Sequence, residues 1–280
     1  MDDKIVWYPG HMAKAKRKIK ESLFLVDIIF ELLDARLPLS SKNPDFSNIF
    51  SHKPTITLMT KSDLADKNAT QQWIKKLSGE GKTVIEIDCK TRRNFNKILP
   101  AAREILRDKI QKYENKGINK SIKVMVVGIT NVGKSTFINS FTVTKKAKAE
   151  DRPGVTRSNQ WISSGKGIDF LDTPGVLWHK FEDRQTGIKL ACTGAIKDEI
   201  LDTISLAIEL LRLLRIKYPD LITERYKIAP VHDESAYDLF QRIAKKRGFI
   251  RSGGVIDEER CAAVLLDEFR AGKIGRVTLD

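Results

Sequence analysis

A glycine-rich segment in the middle of the chain has residue types that bind phosphate. A short apolar run ends at Gly128, and the pattern G-x-x-x-x-G-K-S follows as far as Ser135, before residues of helical character. Glycines let the loop amides turn towards phosphate oxygens, and the positive end of the next helix favours the same anion. Lys134 would reach the β- and γ-phosphates, and the Ser135 hydroxyl would bind Mg²⁺. The pattern predicts a nucleoside triphosphate site, whose further candidates are Asn131, Val132, Gly133 and Thr136.

Two segments that follow supply groups for Mg²⁺ and the γ-phosphate. Asp172 ends an apolar strand and begins the sequence D-T-P-G, so its carboxylate would hold the Mg²⁺ shell through water. The Gly175 amide can approach the γ-phosphate because no side chain intervenes. Thr156 lies in the charged loop 145–156 and would add a hydroxyl to Mg²⁺ and sense the γ-phosphate. D-T-P-G alone is equally typical of an Asx turn, and its place after a complete phosphate loop favours the nucleotide interpretation.

The candidates for base recognition precede the phosphate loop. Thr60-Lys61-Ser62-Asp63 follows an apolar strand, and Asp88-Cys89-Lys90 follows the next one. A carboxylate at Asp63 would accept hydrogen bonds from guanine N1 and N2, where adenine has no donors, and would select guanine. The alternative is a strand-to-helix turn that Asp63 caps. The other candidate contacts to the base are Thr60, the stem of Lys61, and the backbone of Cys89 and Lys90 at guanine O6.

Composition narrows the class of partner and the compartment. The 280 residues contain 50 Lys and Arg against 36 Asp and Glu, a formal charge of +14. This excess favours a polyanionic partner, nucleic acid before an anionic membrane, although a merely basic surface is the alternative. The three cysteines are widely spaced, as in a reducing compartment. No apolar run approaches the roughly 18 residues of a membrane span, so we expect a cytoplasmic protein without integral membrane contact.

Three regions must position these residues. Residues 1–26 include five cations between positions 14 and 20, and we expect a basic segment packed on the domain that follows. Residues 27–198 alternate strands and helices, which predicts an α/β domain with a mostly parallel sheet and a site at the carboxyl ends of its strands. Residues 199–280 have helical periodicity only, and we expect an all-α domain.

The segments TKSD, DCK, GITNVGKS, PGVT and DTPG resemble the five signatures of a translational GTPase-type G domain, but in a rotated order. That order is similar to the circularly permuted GTPases. The segments WYPGHMAKA, DARLP, DRPGVT, TGAIKDE and SGGVID resemble the ribosome biogenesis GTPase A family, and the resemblance spans nearly the whole chain. It implies a P-loop GTPase G domain of circularly permuted motif order, followed by a helical C-terminal domain similar to RNA-binding antitermination modules.

The resemblance also implies a function. It implies binding to the precursor of the large (50S) ribosomal subunit and its rRNA, promotion of late assembly, and hydrolysis of GTP to GDP and phosphate when the ribosomal particle stimulates it. It does not imply an oligomer. The residues themselves support this function only through the positive charge of the chain and the helical content of its C-terminal region. The candidate contacts to RNA phosphates are Lys245, Lys246, Arg247 and Arg251.

The hydrolytic water has no evident glutamine to orient it. Val176 stands directly after the glycine of D-T-P-G, where many G domains have that glutamine. The resemblance implies that a histidine of the PGHM segment takes the role, which is His11; contact with RNA or a helix cap are the alternatives. In similar GTPases an asparagine at the position of Asn131 accompanies K⁺ binding beside the phosphates, and a turn-forming asparagine is the alternative. Comparison of turnover in K⁺ and Na⁺ distinguishes the two.

Two other functions remain open. A signalling or membrane-surface GTPase with a protein activator would use the basic helix Lys14–Lys20 on lipid headgroups and would bind liposomes. A nucleotide-dependent binding module without catalysis is suggested by Val176, and would show no stimulated hydrolysis.

Overall fold

The chain forms two compact units, one of residues 1–181 with Asp280 and one of residues 182–279. The computed structural model describes residues 9–79, 82–118, 120–142, 160–178, 181 and 183–280, without the side chains of residues 9–12, 160 and 200. Within these residues, no helix combines the length and the apolar character that crossing a bilayer requires.

The first unit is built on a six-stranded sheet with the strand order β3-β2-β1-β4-β6-β5. Among the described strands, β5 runs antiparallel to β6, and the other pairs are parallel. The predicted α/β domain with a mostly parallel sheet is therefore confirmed. The strands are β1 Ile28–Asp34, β2 Thr55–Thr60, β3 Thr83–Glu86, β4 Ile122–Gly128, β5 Gln160–Ser163 and β6 Ile168–Asp172.

The register of the sheet brings its functional loops to one edge. Asp34 pairs with Thr60, β1 pairs with β4 as far as Gly128, and Asp172 pairs with Val126 of β4. Because these strands are parallel, their carboxyl ends lie together and the loops that leave them meet. The segments TKSD, GITNVGKS and DTPG thus converge although they lie far apart in the sequence.

Helices cover both faces of this sheet. They are α1 Pro9–Ser22, α2 Pro44–Ile49, α3 Lys67–Leu77, α4 Ile98–Ile105, α5 Arg107–Glu114 and α6 Lys134–Phe141. On one face, α1 buries Ala15 and Ile19 against Ile29 and Val127. Helix α1 ends at Ser22, and Val26 is buried in extended backbone after a short 3₁₀ turn.

An aromatic cluster on the opposite face fixes the helix that follows the phosphate loop. Successive strand residues point to opposite faces, so Phe30 lies on the other side from Ile29. Phe137 of α6 is buried between Phe30 and Phe170 at ring centroid distances of 6.2 and 5.8 Å, in edge-to-face geometry. Phe141 also contacts Phe170, at 5.4 Å. This packing sets the direction in which the first turn of α6 points.

The second unit consists of helices in the part that the structure describes, as predicted for the C-terminal region. They are α7 Arg184–Cys192, α8 Thr203–Lys217, α9 Pro219–Tyr226, α10 Ala236–Lys246 and α11 Glu258–Arg270. Pro219 opens α9, because proline is well suited to the first position of a helix.

Helix α7 belongs to this second unit, whereas the sequence placed the domain boundary after residue 198. The reason is a set of contacts that helical periodicity alone does not reveal. The Arg270 guanidinium of α11 donates hydrogen bonds to the terminal carbonyls of α7, at Ala191 and Cys192, each at 3.1 Å. It also pairs with Asp198. These bonds satisfy carbonyls that the end of a helix leaves without a partner.

A buried carboxylate joins three helices of the second unit. Glu268 of α11 accepts hydrogen bonds from Arg225 Nε (3.0 Å) and Tyr226 Oη (3.0 Å) of α9. Arg247, at the end of α10, donates to the same group at 2.9 Å. Burial raises the pKa of Glu268, but these bonds and the two arginine charges outweigh it, so the pKa lies below the usual 4.5.

We expect Glu268→Ala to lower the free energy of unfolding by about 3 kcal/mol, because it leaves two arginines and a buried hydroxyl without their acceptor. Urea unfolding followed by circular dichroism measures the loss. Since the folded pKa of Glu268 is lowered, the stabilisation is present above pH 4.5 and is lost as the pH falls through the folded pKa. Glu224→Ala, at an exposed glutamate of α9, is the control and should change stability by less than about 0.5 kcal/mol. Equal effects of the two variants would contradict this role of Glu268.

Candidate functional site

The candidate base-binding segment and the phosphate loop touch each other directly. The Thr60 hydroxyl lies 2.7 Å from the Val132 carbonyl oxygen and 3.0 Å from that of Leu33. The Lys61 ammonium donates a hydrogen bond to the Asn131 carbonyl at 2.6 Å. Segments that are some seventy positions apart in the chain are therefore in direct contact.

Lys61 is held in a defined conformation. Its φ of 55° lies in the left-handed region, which non-glycine residues adopt rarely. Its ammonium also lies 3.1 Å from a carboxylate oxygen of Asp34, at the end of β1. Asp34 is not among the site residues predicted from the sequence. The signal was available, because Asp34, like Asp172, is a carboxylate at the carboxyl end of a strand.

Asp63 lies next to the other base-recognition segment. Its carboxylate is 3.3 Å from the Lys90 ammonium. Lys90 is mostly exposed, and a surface pair of this kind contributes about 0–1 kcal/mol, so Asp63 can exchange it for another donor. The Lys90 amide donates to the Asp88 carboxylate at 2.8 Å, which orders the loop between them.

The thiol of Cys89 is unreactive, and the residue contributes through its backbone. Burial raises the pKa of the Cys89 thiol to about 12, and the charges of Asp88 and Asp63 act in the same direction. The thiol is therefore neutral at physiological pH. The Cys89 carbonyl accepts a hydrogen bond from the Ser140 hydroxyl of α6 at 3.0 Å, which links this loop to the helix of the phosphate loop.

Two glycines shape the phosphate loop, Gly128 by close packing and Gly133 by its backbone conformation. A Cβ at Gly128, whose φ is 155°, would lie 2.8 Å from the Leu32 carbonyl oxygen and 2.9 Å from Val132. Gly133, with a φ of 101°, caps α6 without a side chain. The amides of the first helical turn, which includes Ser135 and Thr136, thus meet no capping side chain from Gly133 and are suited to an anion.

Lys134 lies folded into this loop. Its ammonium is buried and donates hydrogen bonds to the carbonyls of Ile129 (2.7 Å) and Gly128 (3.3 Å). Burial lowers the pKa of Lys134 to about 8 and the charge of Lys61 lowers it as well, while Asp172 opposes the shift. Loop carbonyls surround the ammonium, and phosphate oxygens would be far better partners for it.

The D-T-P-G segment packs tightly on the loop. A Cβ at Gly175 would lie 2.8 Å from Thr130 Cα and 2.9 Å from Lys134 Nζ, so a side chain cannot be accommodated without a shift. The Val176 amide donates to the Gly128 carbonyl at 3.2 Å, and Asn43 Nδ2 donates to the Val176 carbonyl at 3.1 Å. Asn43 was not identified from the sequence, since only the fold brings it beside residue 176.

The side chain of Val176 is buried in the core with Ile29 and Val127. It cannot hydrogen-bond a water molecule, as its chemistry already indicated. Two predicted catalytic groups lie outside the part of the chain that the structure describes: Thr156, and the side chain of His11, whose backbone lies in the first turn of α1.

The remaining metal candidates are Ser135 and Asp172. Asp172 is buried at the end of β6 and is close enough to Lys134 to influence its pKa. The described residues contain no group of three or more His, Cys, Asp or Glu suited to a metal ion. One carboxylate with one hydroxyl is the donor set of a Mg²⁺ ion that also binds substrate phosphates.

The chain is similar in sequence and in structure to proteins of one family. A family model described as 50S ribosome-binding GTPase matches residues 123–232. Ribosome biogenesis GTPase A of Bacillus cereus is 44% identical over 277 residues, which cover 99% of this chain and 93% of that protein. The protein of that name from Thermotoga maritima is 33% identical over 277 residues, or 98% and 93% of the two chains. The crystal structure of GNP-bound YlqF from T. maritima matches with a TM-score of 0.64 at 28% identity, covering 95% and 97%.

We expect the affinity for GDP to fall as the pH rises above 8. Phosphate oxygens beside Lys134 would raise its pKa again, so binding takes up a proton wherever the unliganded ammonium has lost one. Affinity at pH 9 should be about tenfold lower than at pH 7, measured with a fluorescent GDP analogue.

Lys134→Arg is the matched control, because a guanidinium stays charged over this range and its residual binding should not depend on pH in this way. A flat affinity between pH 7 and 9 in the unmodified protein would contradict the assignment.

Proposed function

Since this chain belongs to the ribosome biogenesis GTPase A family and hydrolyses GTP, we propose that it binds the precursor of the large (50S) ribosomal subunit and promotes its late assembly. Nucleotide binding is supported above all by the contact of Lys61 with the phosphate loop, because this contact joins the base-recognition segment to the phosphate-binding segment. The net charge of +14 and the names of the relatives support the ribosomal partner.

Base recognition follows from the contacts of Asp63. We assign its carboxylate to guanine N1 and N2, in exchange for its exposed pair with Lys90. The Lys61 stem packs on the base, while Thr60 anchors the segment to the phosphate loop. The backbone of Cys89 and Lys90 faces guanine O6.

Phosphate binding follows from the residues around Lys134. When the nucleotide binds, its ammonium leaves the carbonyls of Ile129 and Gly128 and contacts the β- and γ-phosphates. The attraction to the phosphates offsets the desolvation cost of the buried ammonium. The Gly175 amide approaches the γ-phosphate. The amides of the loop and of the first helical turn complete the phosphate site, at Asn131, Val132, Gly133, Ser135 and Thr136.

We assign Mg²⁺ to Ser135, Asp172 and Thr156. When bound, the ion neutralises negative charge on the phosphates. The proposal also includes a K⁺ ion, which would bind beside Asn131 and the phosphates. The backbone of Asn131 is fixed in a left-handed turn, with a φ of 58°, by its bond to Lys61.

The attacking water needs a partner other than Val176, whose side chain is buried. We assign this role to His11, which the ribosomal particle brings to the γ-phosphate when it binds. Hydrolysis without the particle is then slow. The observation behind this assignment is the occupation of the usual glutamine position by a buried apolar side chain.

RNA contact is assigned to the end of α10. Arg247 already pairs with Glu268, and Arg251 pairs with Asp257 and Glu259. Lys245 and Lys246 in the last turn are exposed. Of the four cations named from the sequence, these two lysines are therefore the better phosphate contacts.

Association with large-subunit precursors should weaken steeply with salt, and Lys245→Ala with Lys246→Ala should reduce the slope of log K against log salt by about 2. The control is the double variant Lys75→Ala with Lys76→Ala, at two exposed lysines in the last turn of α3. It changes the net charge of the protein by the same amount. Co-sedimentation in a GTP analogue and in GDP measures both. Equal slopes for the two double variants would refute the α10 contact, and binding to anionic liposomes but not to particles would refute the ribosomal partner.

His11→Ala should lower particle-stimulated GTP turnover on the order of 100-fold, because the water loses its partner, and should leave GDP affinity unchanged. Phosphate release with saturating precursor measures turnover. His52→Ala, at an exposed histidine of the same unit, is the matched control. Unchanged stimulated turnover in the His11 variant would remove this residue from the mechanism.

A further inference from the structure

A buried ion network lies behind the base-recognition segment. The Asp34 carboxylate accepts hydrogen bonds from Arg36 at three positions: the backbone amide (3.0 Å), Nε (3.0 Å) and Nη2 (2.7 Å). The side chains of Arg36 and Asp34 are 2% and 3% exposed. The Lys61 ammonium lies on the same carboxylate at 3.1 Å. One acid thus holds two cations where the chain leaves the central strand β1.

This network keeps the carboxylate ionised. Burial raises the pKa of Asp34, but the charges of Arg36 and Lys61 and the bonds from Arg36 hold it far below its usual value. A buried ion pair adds little net stability, because desolvation offsets the attraction. Its clearer effect is to fix geometry, and the fork of the guanidinium fixes the carboxylate in one plane.

Lys61 is the group whose position depends on that carboxylate. A lysine side chain has four rotatable bonds, and a single hydrogen bond to Asn131 would restrain only its end. The same ammonium has a second contact, with the Asp34 carboxylate at 3.1 Å. The two contacts together fix the end of the side chain in one position, and so restrict the stem that packs on the guanine base in the proposed function.

The loop after Asp34 has anchors of its own. The Ser41 hydroxyl accepts a hydrogen bond from the Asp34 amide at 3.0 Å and donates to the Leu37 carbonyl at 2.6 Å. These bonds use backbone groups and do not need the charge of Asp34. Neutralising the carboxylate therefore tests its electrostatic role without removing the turn.

We propose that Asp34, held by Arg36, is a positioning residue for guanine nucleotide binding, which fixes the Lys61 ammonium against the Asn131 carbonyl and so couples base recognition to the phosphate loop. The inference rests on the proposed place of Lys61 at the guanine base. It gives the turn Asp34–Pro38, which is the DARLP segment of the family resemblance, a role in nucleotide retention.

Asp34→Asn tests this with a side chain of the same shape. GDP dissociation, followed with a fluorescent analogue, should become about tenfold faster. Lys61→Ala should also accelerate it, and the double variant should be no faster than Lys61→Ala alone, because Asp34 acts through Lys61. Arg36→Lys keeps the positive charge but loses the two-pronged geometry of the guanidinium, so its GDP dissociation rate should lie between those of the unmodified protein and of Lys61→Ala. This variant takes the place of Asp34→Asn in the test if Asp34→Asn does not fold.

Asp27→Asn is the matched control. Asp27 precedes the other end of β1, where it accepts a bond from the Lys123 amide and pairs with Lys109. It should leave GDP dissociation unchanged even where urea unfolding shows lower stability.

Two results would overturn the inference while the guanine site stands: Lys61→Ala accelerates dissociation and Asp34→Asn does not, or the two effects multiply in the double variant. No effect of Lys61→Ala would overturn the proposed place of Lys61 itself, and the inference with it. Equal acceleration by Asp27→Asn and Asp34→Asn would reduce Asp34 to a structural role.

Discussion

Parallel pairing of β1 with both β2 and β4 is the constraint on which the site depends. Strand ends of a parallel sheet lie at one edge whatever their order in the chain. Here Asp34, Thr60 and Gly128 are brought within reach of each other by register alone. The contacts between Lys61, Asp34 and Asn131 then close the site. A shift of either strand by two residues would separate them, since each residue advances about 3.3 Å along the strand.

Rotation of the motif order follows from the same constraint. A nucleotide contacts loops where they meet in space, and it is indifferent to which loop comes first in the chain. Termini that lie at the surface can be rejoined elsewhere without disturbing the core. The base-recognition loops can therefore precede the phosphate loop, as they do in this GTPase, while Thr60 still bonds to Val132.

Charge and close packing act together around the phosphate loop. Gly128 and Gly175 allow backbone and ammonium to approach where a Cβ would clash. This close packing buries the Lys134 ammonium and lowers its pKa to about 8. The ammonium is therefore poorly solvated in the loop, and a phosphate group would stabilise its charge. Asp34 shows the opposite case, a buried anion that two cations keep ionised. The second unit repeats this device at Glu268, where the partners join helices instead of loops.

Local patterns in the sequence determined the strands, most helices and the phosphate loop, because apolar periodicity and the glycine-lysine spacing are properties of neighbouring residues. The convergence of TKSD with GITNVGKS was predicted from motif resemblance, and the sheet provides its physical reason. Tertiary structure alone decided the rest: Asn43 bonds to Val176 across 133 positions, α7 joins the helical unit through Arg270, and Arg247 and Arg251 are engaged by acids. Such contacts join residues whose separation in the chain carries no signal, so only the folded chain reveals them.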